Sequence, residues 1–288
     1  MATLYVFGKG FNYSQDGPGN RLVYHLQGCN LHCPWCANPE GIAPKGSLIY
    51  NERIPLQDTF CPHGAIQQST LDRTLCRGCD RACADLHTGA LSRSETAIES
   101  EALIAEVLRS RPMFFEGGGV TFTGGEATLQ LDALLEVMSA LKQHGIHIAL
   151  ETNGTHPRLS ELLPYVDYLI MDIKHADAQT FTNIIGNGFA EFMKNLHVAA
   201  AREQLALRIP LIHGFNTQSS ALQAIAALIA SLNAPAITVE LLRYHEYGKD
   251  KWQQIGVPYK VNDGHVSDKE YLTAKGILQD AGLRLIYT

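Results

Sequence analysis

Six short apolar segments recur along the chain and alternate with longer stretches in which apolar residues lie three and four positions apart. The short segments predict β-strands, and the longer stretches predict amphipathic helices. The predicted strands are residues 22–27, 119–123, 146–151, 168–173, 206–212 and 237–242. The predicted helices include residues 99–109, 129–144, 189–202 and 220–232.

The repeated strand–helix unit predicts an α/β fold. Strands that are apolar throughout, each followed by a helix, indicate a parallel sheet covered by helices. Six such units predict a partial (βα)6 barrel of the TIM type. In such folds chemistry takes place at the C-terminal ends of the strands, so the residues that follow each strand are the first candidates for a functional site.

One segment, residues 50–93, interrupts the alternation. It carries four cysteines, scattered polar residues and little helical or strand periodicity. So short and poorly apolar a segment would not repay its ordering entropy without bound metal. We therefore predict two parts: a barrel of residues 1–49 and 94–288, and an inserted metal-binding module of residues 50–93.

Composition and charge narrow the class of protein. The 288 residues are 45% hydrophobic and 18% charged, which is typical of a globular protein with a substantial core. The formal net charge of −6 argues against a broad nucleic-acid-binding face. We also find neither a secretion signal at the N-terminus nor an apolar stretch of membrane-spanning length. These features predict a cytoplasmic protein with no nucleic-acid or membrane partner.

The cysteines are concentrated in one region. All seven lie between Cys29 and Cys83, and the rest of the chain has none. In a chain without a secretion signal, an odd number of closely spaced cysteines is more typical of metal or redox sites than of disulfides.

The first cysteine cluster directly follows the first predicted strand. Cys29, Cys33 and Cys36 form a C-x3-C-x2-C loop, so three thiolates can face one site. A structural zinc site needs four protein ligands, whereas a four-iron cluster held by three cysteines leaves one iron open for a substrate. A zinc site completed by His25 or His32 remains an alternative that the spacing does not exclude.

Polar and glycine residues follow the later strands and should meet at the same rim of the sheet. The second strand ends at Gly124-Gly125-Glu126, where two glycines allow close approach of another group to the backbone. The third strand ends at residues 151–154 and the fourth at 171–174. The fifth strand carries Arg208, whose guanidinium suits a carboxylate or ribose.

Three motifs together resemble a known superfamily. The C-x3-C-x2-C loop after a first strand resembles the radical S-adenosylmethionine (SAM) superfamily. The sequence D-G-P-G-N-R at residues 16–21 resembles the D-G-P-G-x-R lead-in of glycyl-radical-enzyme activating proteins. L-L-R-Y-H-E-Y-G-K-D-K-W at residues 241–252 is similar to their L-L-P-Y-H-x-x-G-x-x-K-W signature. The match extends from about Tyr13 to Trp252, and chain length and a single-cluster insert add a narrower resemblance to YjjW-like activating proteins.

The resemblance implies an oxidoreductase that works anaerobically. Cys29, Cys33 and Cys36 would hold a 4Fe-4S cluster, whose open iron binds SAM. An electron from the cluster would cleave SAM to methionine and a 5′-deoxyadenosyl radical, which removes a hydrogen from a glycine of a partner glycyl radical enzyme. Flavodoxin or ferredoxin is the implied reductant. No catalytic residue beyond the cluster and SAM is implied.

The resemblance also implies a SAM pocket. The implied cofactor-binding residues are Trp35, Cys36, Ala37, Gly124, Gly125, Glu126, Glu151, Thr152, Asp172, Ile173, Lys174, Arg208 and His245. Two positions depart from the family pattern: Glu151 stands where the family usually has Asp, and Arg243 stands where it usually has Pro. A monovalent cation shared by Glu151 and Asp172 is a further expectation. His213 is assigned no role.

The inserted module has a ligand set of its own. Cys61, Cys76, Cys79 and Cys83 supply four thiolates in a C-x14-C-x2-C-x3-C pattern. Four thiolates fit either one 4Fe-4S cluster or one structural zinc, and the ligand count does not separate the two. The resemblance favours a single ferredoxin-like 4Fe-4S cluster.

Two other functions remain alternatives to the activating enzyme. One is a radical SAM enzyme that acts on a small molecule with the same barrel and the same cysteine loop. The other is a zinc-bearing interaction protein without catalysis, which its iron content would distinguish. The D-G-P-G lead-in and the signature around His245 favour the activating enzyme.

Overall fold

The regular elements of the computed structural model are thirteen strands and eight α-helices within residues 2–11, 15–56, 61–76, 79–86 and 89–287, which are the residues that the structure describes. The strands are β1 Thr3–Gly10, β2 Arg21–Leu26, β3 Leu48–Tyr50, β4 Ile66–Gln67, β5 Thr70–Leu71, β6 Leu91–Arg93, β7 Thr96–Glu99, β8 Gly119–Gly124, β9 Ile148–Thr152, β10 Tyr168–Asp172, β11 Leu205–Leu211, β12 Thr238–Arg243 and β13 Arg284–Ile286. The helices are α1 Cys83–Leu86, α2 Ser100–Ser110, α3 Leu131–Gln143, α4 Ala178–Ile184, α5 Phe189–Ala199, α6 Ser219–Ser231, α7 Lys249–Gln254 and α8 Asp268–Asp280.

One nine-stranded sheet forms the body of the protein, in the order β13-β12-β11-β10-β9-β8-β2-β1-β7. The strands from β2 to β13 in this order are parallel to one another. The six predicted strands are confirmed, with ends that differ by at most two residues. The prediction of an α/β fold of the partial TIM-barrel type is therefore confirmed.

The edges of the sheet differ from the six-unit prediction. β1 and β7 add an antiparallel edge beside β2, and β13 adds a seventh parallel strand beyond β12. These strands are half-exposed, so they lack the continuous apolar pattern by which the central strands were identified. The helix predicted for 189–202 ends earlier, at Ala199. The reason is that Arg202 turns back and donates hydrogen bonds to the carbonyl oxygens of Leu163 and Val166.

Helices pack on the sheet and enclose the main core. α3 shows how, because its buried residues Leu134, Val137, Met138 and Leu141 recur at helical spacing and face the sheet. The same core continues across β8 to β12. None of the described helices has both the length and the apolar character that a membrane span needs.

The cysteine-rich insert leaves and rejoins the barrel through a two-stranded neck. β3 and β6 pair antiparallel, with Leu48 opposite Arg93 and Tyr50 opposite Leu91. Beyond this neck lies a second, smaller core, formed by Leu48, Leu56, Ile66, Ala84, Ala90 and Leu91. Parts of the predicted 50–93 module, namely residues 57–60, 77–78 and 87–88, lie outside the described residues, as do 12–14, where the family match begins.

The insert is also fastened to α7. Arg73 bridges the two, because its Nη1 donates to the carbonyl of Leu48 at 2.8 Å and its Nη2 donates to that of Gln254 at 2.5 Å. Gln253 Nε2 donates to Glu52 Oε2 at 3.0 Å. The insert therefore has a defined orientation relative to the helix that carries the signature.

The lead-in before β2 is held by a buried arginine. Arg21 is 1% exposed. Its Nε donates to Thr121 Oγ1 at 2.7 Å, its Nη1 to the Pro18 carbonyl at 2.9 Å and its Nη2 to the Val120 carbonyl at 2.6 Å. Arg21 thus joins the lead-in to β8.

The lead-in and the 117–118 turn offer a matched pair of glycine substitutions. Gly19 and Gly117 both have positive φ, +71° and +78°. A Cβ at Gly19 would lie 2.5 Å from the backbone nitrogen of Gly118, whereas a Cβ at Gly117 meets no atom within 4 Å. We expect Gly19→Ala to lower the free energy of unfolding by about 3 kcal/mol, and Gly117→Ala by only about 1 kcal/mol. Urea denaturation measures both, and equal losses would contradict the close packing of the lead-in.

Candidate functional site

A cavity of about 310 Å³ opens at the C-terminal ends of the parallel strands. The structure brings together there the three cysteines of the first cluster and every residue of the predicted SAM pocket except Ile173, which is fully buried. The lining residues from the prediction are Cys29, Cys33, Trp35, Cys36, Ala37, Gly124, Gly125, Glu126, Glu151, Thr152, Asp172, Lys174, Arg208 and His245.

Hydrogen bonds from backbone N–H groups within the protein itself hold the cysteine loop in its conformation. The N–H of Cys29 donates to the carbonyl of Ile42 at 2.9 Å. The sulfur of Cys29 accepts the N–H of Leu31, and the sulfur of Cys36 accepts the N–H of Asn38, both at 3.4 Å. Such bonds orient the sulfurs and would stabilise their thiolate forms.

Burial makes these thiols weak acids on their own. It raises the pKa of Cys29 and of Cys36 to about 12, to which neighbouring acidic groups contribute, and it also raises the pKa of Cys33. The three groups are therefore neutral thiols at neutral pH until a positively charged centre binds them. Binding of such a centre must release protons.

The donor set fits a four-iron cluster better than a single metal ion. Within the described ranges, no three His, Cys, Asp or Glu side chains are close enough together to hold one metal ion. A single zinc needs every sulfur about 2.3 Å away, whereas a four-iron cluster gives each thiolate its own iron and tolerates wider spacing. Cys29, Cys33 and Cys36 all line this one cavity.

The glycine pair that ends β8 is packed against the cysteine loop. A Cβ at Gly124 would lie 2.2 Å from the nitrogen of Leu26, and a Cβ at Gly125 would lie 2.3 Å from the carbonyl oxygen of Gly28. The N–H of Gly125 donates to the Leu26 carbonyl at 2.9 Å. The predicted close approach is thus present, and the backbone that approaches is the one leading into Cys29.

Glu126 has a positioning role within this rim. One oxygen accepts the hydroxyls of Thr128 at 2.6 Å and Thr152 at 2.7 Å, and the other accepts the N–H of Asn153 at 2.6 Å. Burial raises the pKa of Glu126, and these hydrogen bonds oppose the rise. The carboxylate thereby joins the end of β8 to the end of β9.

Asp172 and Lys174 form an ion pair beside the cysteines, with Lys174 Nζ 2.8 Å from Asp172 Oδ2. Burial lowers the pKa of Lys174, but the Asp172 carboxylate and the nearby thiols outweigh it and raise the pKa overall. The ammonium group therefore remains charged inside the cavity, where it can meet an anionic group of a ligand.

Arg208 lies between two carboxylates. Its Nη1 is 2.6 Å from Glu151 Oε1 and its Nε is 2.9 Å from Glu240 Oε2. The second oxygen of Glu151 accepts the hydroxyl of Thr123 at 2.7 Å. Burial raises the pKa of Glu151, but the Arg208 guanidinium and the hydrogen bond from Thr123 together outweigh burial and lower it overall. Arg208 and Glu240 are almost fully buried, so their charges depend on this pairing.

Among the charged groups in and next to the site, the acidic residues Asp16 and Glu240 were not predicted. Asp16 lines the cavity from the lead-in, and burial, followed by the nearby Glu151, raises its pKa to about 7. Glu240 precedes the signature and is 3% exposed. The lead-in motif was the signal for Asp16, since this aspartate is its first residue. For Glu240 the signal was a charged residue inside an otherwise apolar strand.

The last part of the signature, Gly248 and the first residues of α7, contacts the cysteine loop from the side opposite β8. A Cβ at Gly248 would lie 2.5 Å from the carbonyl oxygen of Cys36. Trp252 Nε1 donates to that same carbonyl at 2.9 Å. Lys251 Nζ contacts Asn38 Oδ1 at 2.8 Å and Glu40 Oε1 at 2.7 Å. The signature thus clamps the segment that follows the third cysteine.

Two aromatic groups border the cavity. His245 stacks on Tyr247 with ring centroids 4.3 Å apart, and burial lowers the pKa of His245. Trp35 packs against Phe215 with centroids 4.5 Å apart. His213, to which no role was assigned, pairs instead with a carboxylate of α8.

The four cysteines of the insert lie away from this cavity. None of them lines it, and Cys61, Cys76 and Cys83 pack against the small core of the insert. Burial raises the pKa of Cys76, and the neighbouring thiols raise it further. The pKa of Cys61 is lowered, because hydrogen bonds from backbone N–H groups outweigh burial. N–H groups directed at sulfur stabilise the thiolate, which is the form that binds either iron or zinc.

Comparisons with known proteins agree with this geometry. The Radical SAM superfamily profile matches residues 23–220. The chain is 31% identical over 263 residues to the isethionate sulfite-lyase activating enzyme of Desulfovibrio desulfuricans, covering 84% of this chain and 83% of that enzyme. It is 30% identical over 263 residues to the choline trimethylamine-lyase activating enzyme of Oleidesulfovibrio alaskensis, covering 85% of each.

A third relative and a solved structure extend the comparison. The 4-hydroxyphenylacetate decarboxylase activating enzyme of Clostridioides difficile is 29% identical over 276 residues, covering 89% of this chain and 87% of that enzyme. A radical SAM methyltransferase from Sphaerobacter thermophilus superimposes with a TM-score of 0.54 at 13% identity, covering 96% of this chain and 67% of that one. This last likeness concerns the fold alone.

The clamp between α7 and the cysteine loop can be tested by Trp252→Phe. This change removes the indole N–H and leaves the Cys36 carbonyl without its donor, so we expect the free energy of unfolding to fall by about 1 kcal/mol. The reconstituted protein should also lose iron faster on gel filtration. Lys249→Met on the same helix is the control, since its exposed pair with Glu246 contributes less than about 0.5 kcal/mol. Equal behaviour of the two variants would contradict the clamp.

Proposed function

The chain belongs to the radical SAM superfamily and, within it, to the activating enzymes, and from this premise we propose that it activates a glycyl radical enzyme. Its cofactors are a 4Fe-4S cluster and SAM. When bound, the cluster supplies one electron that splits SAM into methionine and a 5′-deoxyadenosyl radical, which takes a hydrogen atom from a glycine of the partner. The products are methionine, 5′-deoxyadenosine and a glycyl radical, and the cluster, oxidised by one electron, is reduced again by the electron donor.

The residues of this chain bind the cluster and SAM and orient them for the reaction. Cys29, Cys33 and Cys36 would hold the cluster by three thiolates, a ligand set that leaves one iron available to SAM. Lys174 and Arg208 present positive charge to the SAM carboxylate. The cavity gathers these groups at one end of the barrel. Radical chemistry requires orientation of the reacting groups and exclusion of water more than it requires an acid or a base.

The observation that carries the proposal is the contact between the signature and the cysteine loop. Gly248 and Trp252 belong to the sequence signature of activating proteins, and both approach the carbonyl of Cys36. A signature that acts directly on a cluster ligand favours an activating enzyme over a radical SAM enzyme of a small molecule. The named relatives, which activate lyases and decarboxylases, support the same choice.

We propose that the insert, residues 50–93, holds a second 4Fe-4S cluster on Cys61, Cys76, Cys79 and Cys83. The N–H groups around Cys61 and the shared small core support one closed four-thiolate site. A single structural zinc bound by the same four sulfurs is the alternative. The narrower YjjW-like resemblance, which rests on this single-cluster insert, stays a prediction.

The cellular setting follows from the chemistry. We propose a cytoplasmic enzyme, because free thiolates and reduced clusters persist in reducing compartments. Flavodoxin or ferredoxin is the proposed electron donor. Activity should require anaerobic conditions, because oxygen attacks thiolate ligands.

SAM cleavage at the first loop is tested with Cys33→Ala. After anaerobic reconstitution and reduction, we expect the intact chain to form 5′-deoxyadenosine, and the variant to form none because its cluster has lost a ligand. A partner protein labelled with α-deuterated glycine should transfer deuterium to the 5′-deoxyadenosine. Product without deuterium in the presence of an activated partner would contradict hydrogen abstraction from glycine.

The insert cluster is tested with Cys79→Ala. If the insert holds iron, the variant should drop from about eight to about four irons per chain. Chemically reduced SAM cleavage should continue, because no insert cysteine lines the cavity. Elemental analysis decides the metal, since about four irons and one zinc in the intact chain would contradict a second iron cluster.

A further inference from the structure

Glu151 is the departure from the family pattern that the proposed function leaves unexplained. Its two oxygens already have partners, since one is 2.6 Å from Arg208 Nη1 and the other accepts the Thr123 hydroxyl at 2.7 Å. Asp172, the second expected cation ligand, is 2.8 Å from Lys174 Nζ. Both carboxylates are thus paired with cationic side chains, and this set does not fit a monovalent cation shared between them.

The length of the glutamate side chain makes the pairing with Arg208 possible. Glu151 lies on β9 and Arg208 on β11, with β10 between them. Glu151 is in register with Ile170, and Ile170 with Ala206, so Arg208 lies two strands across and two residues further along. Their backbones are therefore roughly 11–12 Å apart. An aspartate would be shorter by about 1.5 Å, one carbon–carbon bond. Its carboxylate would no longer reach the guanidinium at hydrogen-bond distance.

Two cations of the pocket can meet the carboxylate of SAM without an added ion. Lys174 and Arg208 both line the cavity, and each is held by a carboxylate at hydrogen-bond distance. Arg208 uses only two of its five N–H donors on the glutamates, which leaves others for the carboxylate of SAM.

We propose that Arg208, held by Glu151 and Glu240, supplies the positive charge that a monovalent cation was expected to supply, so that this chain binds SAM equally well with any monovalent cation in solution. The inference rests on the SAM site of the proposed function. It does not depend on the partner, because SAM binding precedes hydrogen abstraction. Glu151 and Glu240 are then positioning residues that act through Arg208.

The test measures SAM affinity rather than turnover. The reconstituted, unreduced full chain is titrated with SAM by calorimetry in potassium, sodium or tetramethylammonium chloride at equal ionic strength. We expect dissociation constants that agree within about twofold across the three salts. Binding about tenfold or more weaker in tetramethylammonium than in potassium or sodium would overturn the proposal. Failure to activate any glycyl radical enzyme would leave this binding result readable.

Variants at Glu151 assign the effect. Glu151→Asp withdraws the carboxylate from Arg208 and should introduce about a tenfold preference for potassium or sodium over tetramethylammonium. Glu151→Gln keeps the length of the side chain and should weaken SAM binding equally in all three salts. Glu240→Asp, the matched control on the far side of Arg208, should likewise show no salt preference. A Glu151→Asp protein that binds SAM equally in all salts would overturn the role given to Glu151, and iron content and circular dichroism establish that each variant is folded.

Discussion

The cysteine loop is confined between two backbones at distances that leave no space for a side chain. On one side the end of β8 approaches Gly28, and on the other the start of α7 approaches Cys36. Both contacts exist only because Gly125 and Gly248 lack a Cβ. The positions of the cluster ligands, of α7 and of the insert fastened to α7 all follow from this confinement. Separate sequence motifs therefore serve one purpose, which is to hold three sulfurs around one cavity.

A second constraint applies to the interior of the barrel, where buried charged side chains need charged partners because they lack bulk water. Lys174 has a carboxylate within hydrogen-bond distance, and Arg208 has two. Burying a charge without such pairing would cost several kcal/mol. The paired groups cannot move independently, so the polar surface offered to SAM is arranged before SAM arrives. Pre-arranged charge of this kind costs nothing to reorganise when a ligand binds.

Local pattern was sufficient to predict some features and not others. The central strands are apolar over their whole length, and the cysteine spacing is read directly, so the barrel and the first ligand set were predictable. The edge strands β1 and β7 are half-exposed and lack such a pattern. The contacts of Gly248 and Asp16 join residues far apart in sequence, and no local pattern predicts which distant residue a side chain will contact. The same holds for Glu151, whose substitution was visible while its partner on β11 was not.

The neck of the insert has a consequence for the history of such proteins. Because Tyr50 and Leu91 lie opposite each other on paired strands, the chain returns to the barrel close to where it left. A gene could therefore gain, shorten or exchange the segment beyond these residues while the barrel kept its path. What such an exchange must preserve is small, namely the link from Arg73 to α7 or a substitute for it. The neck thus allows the attached module to change in length or sequence without displacing the strands that form the cavity.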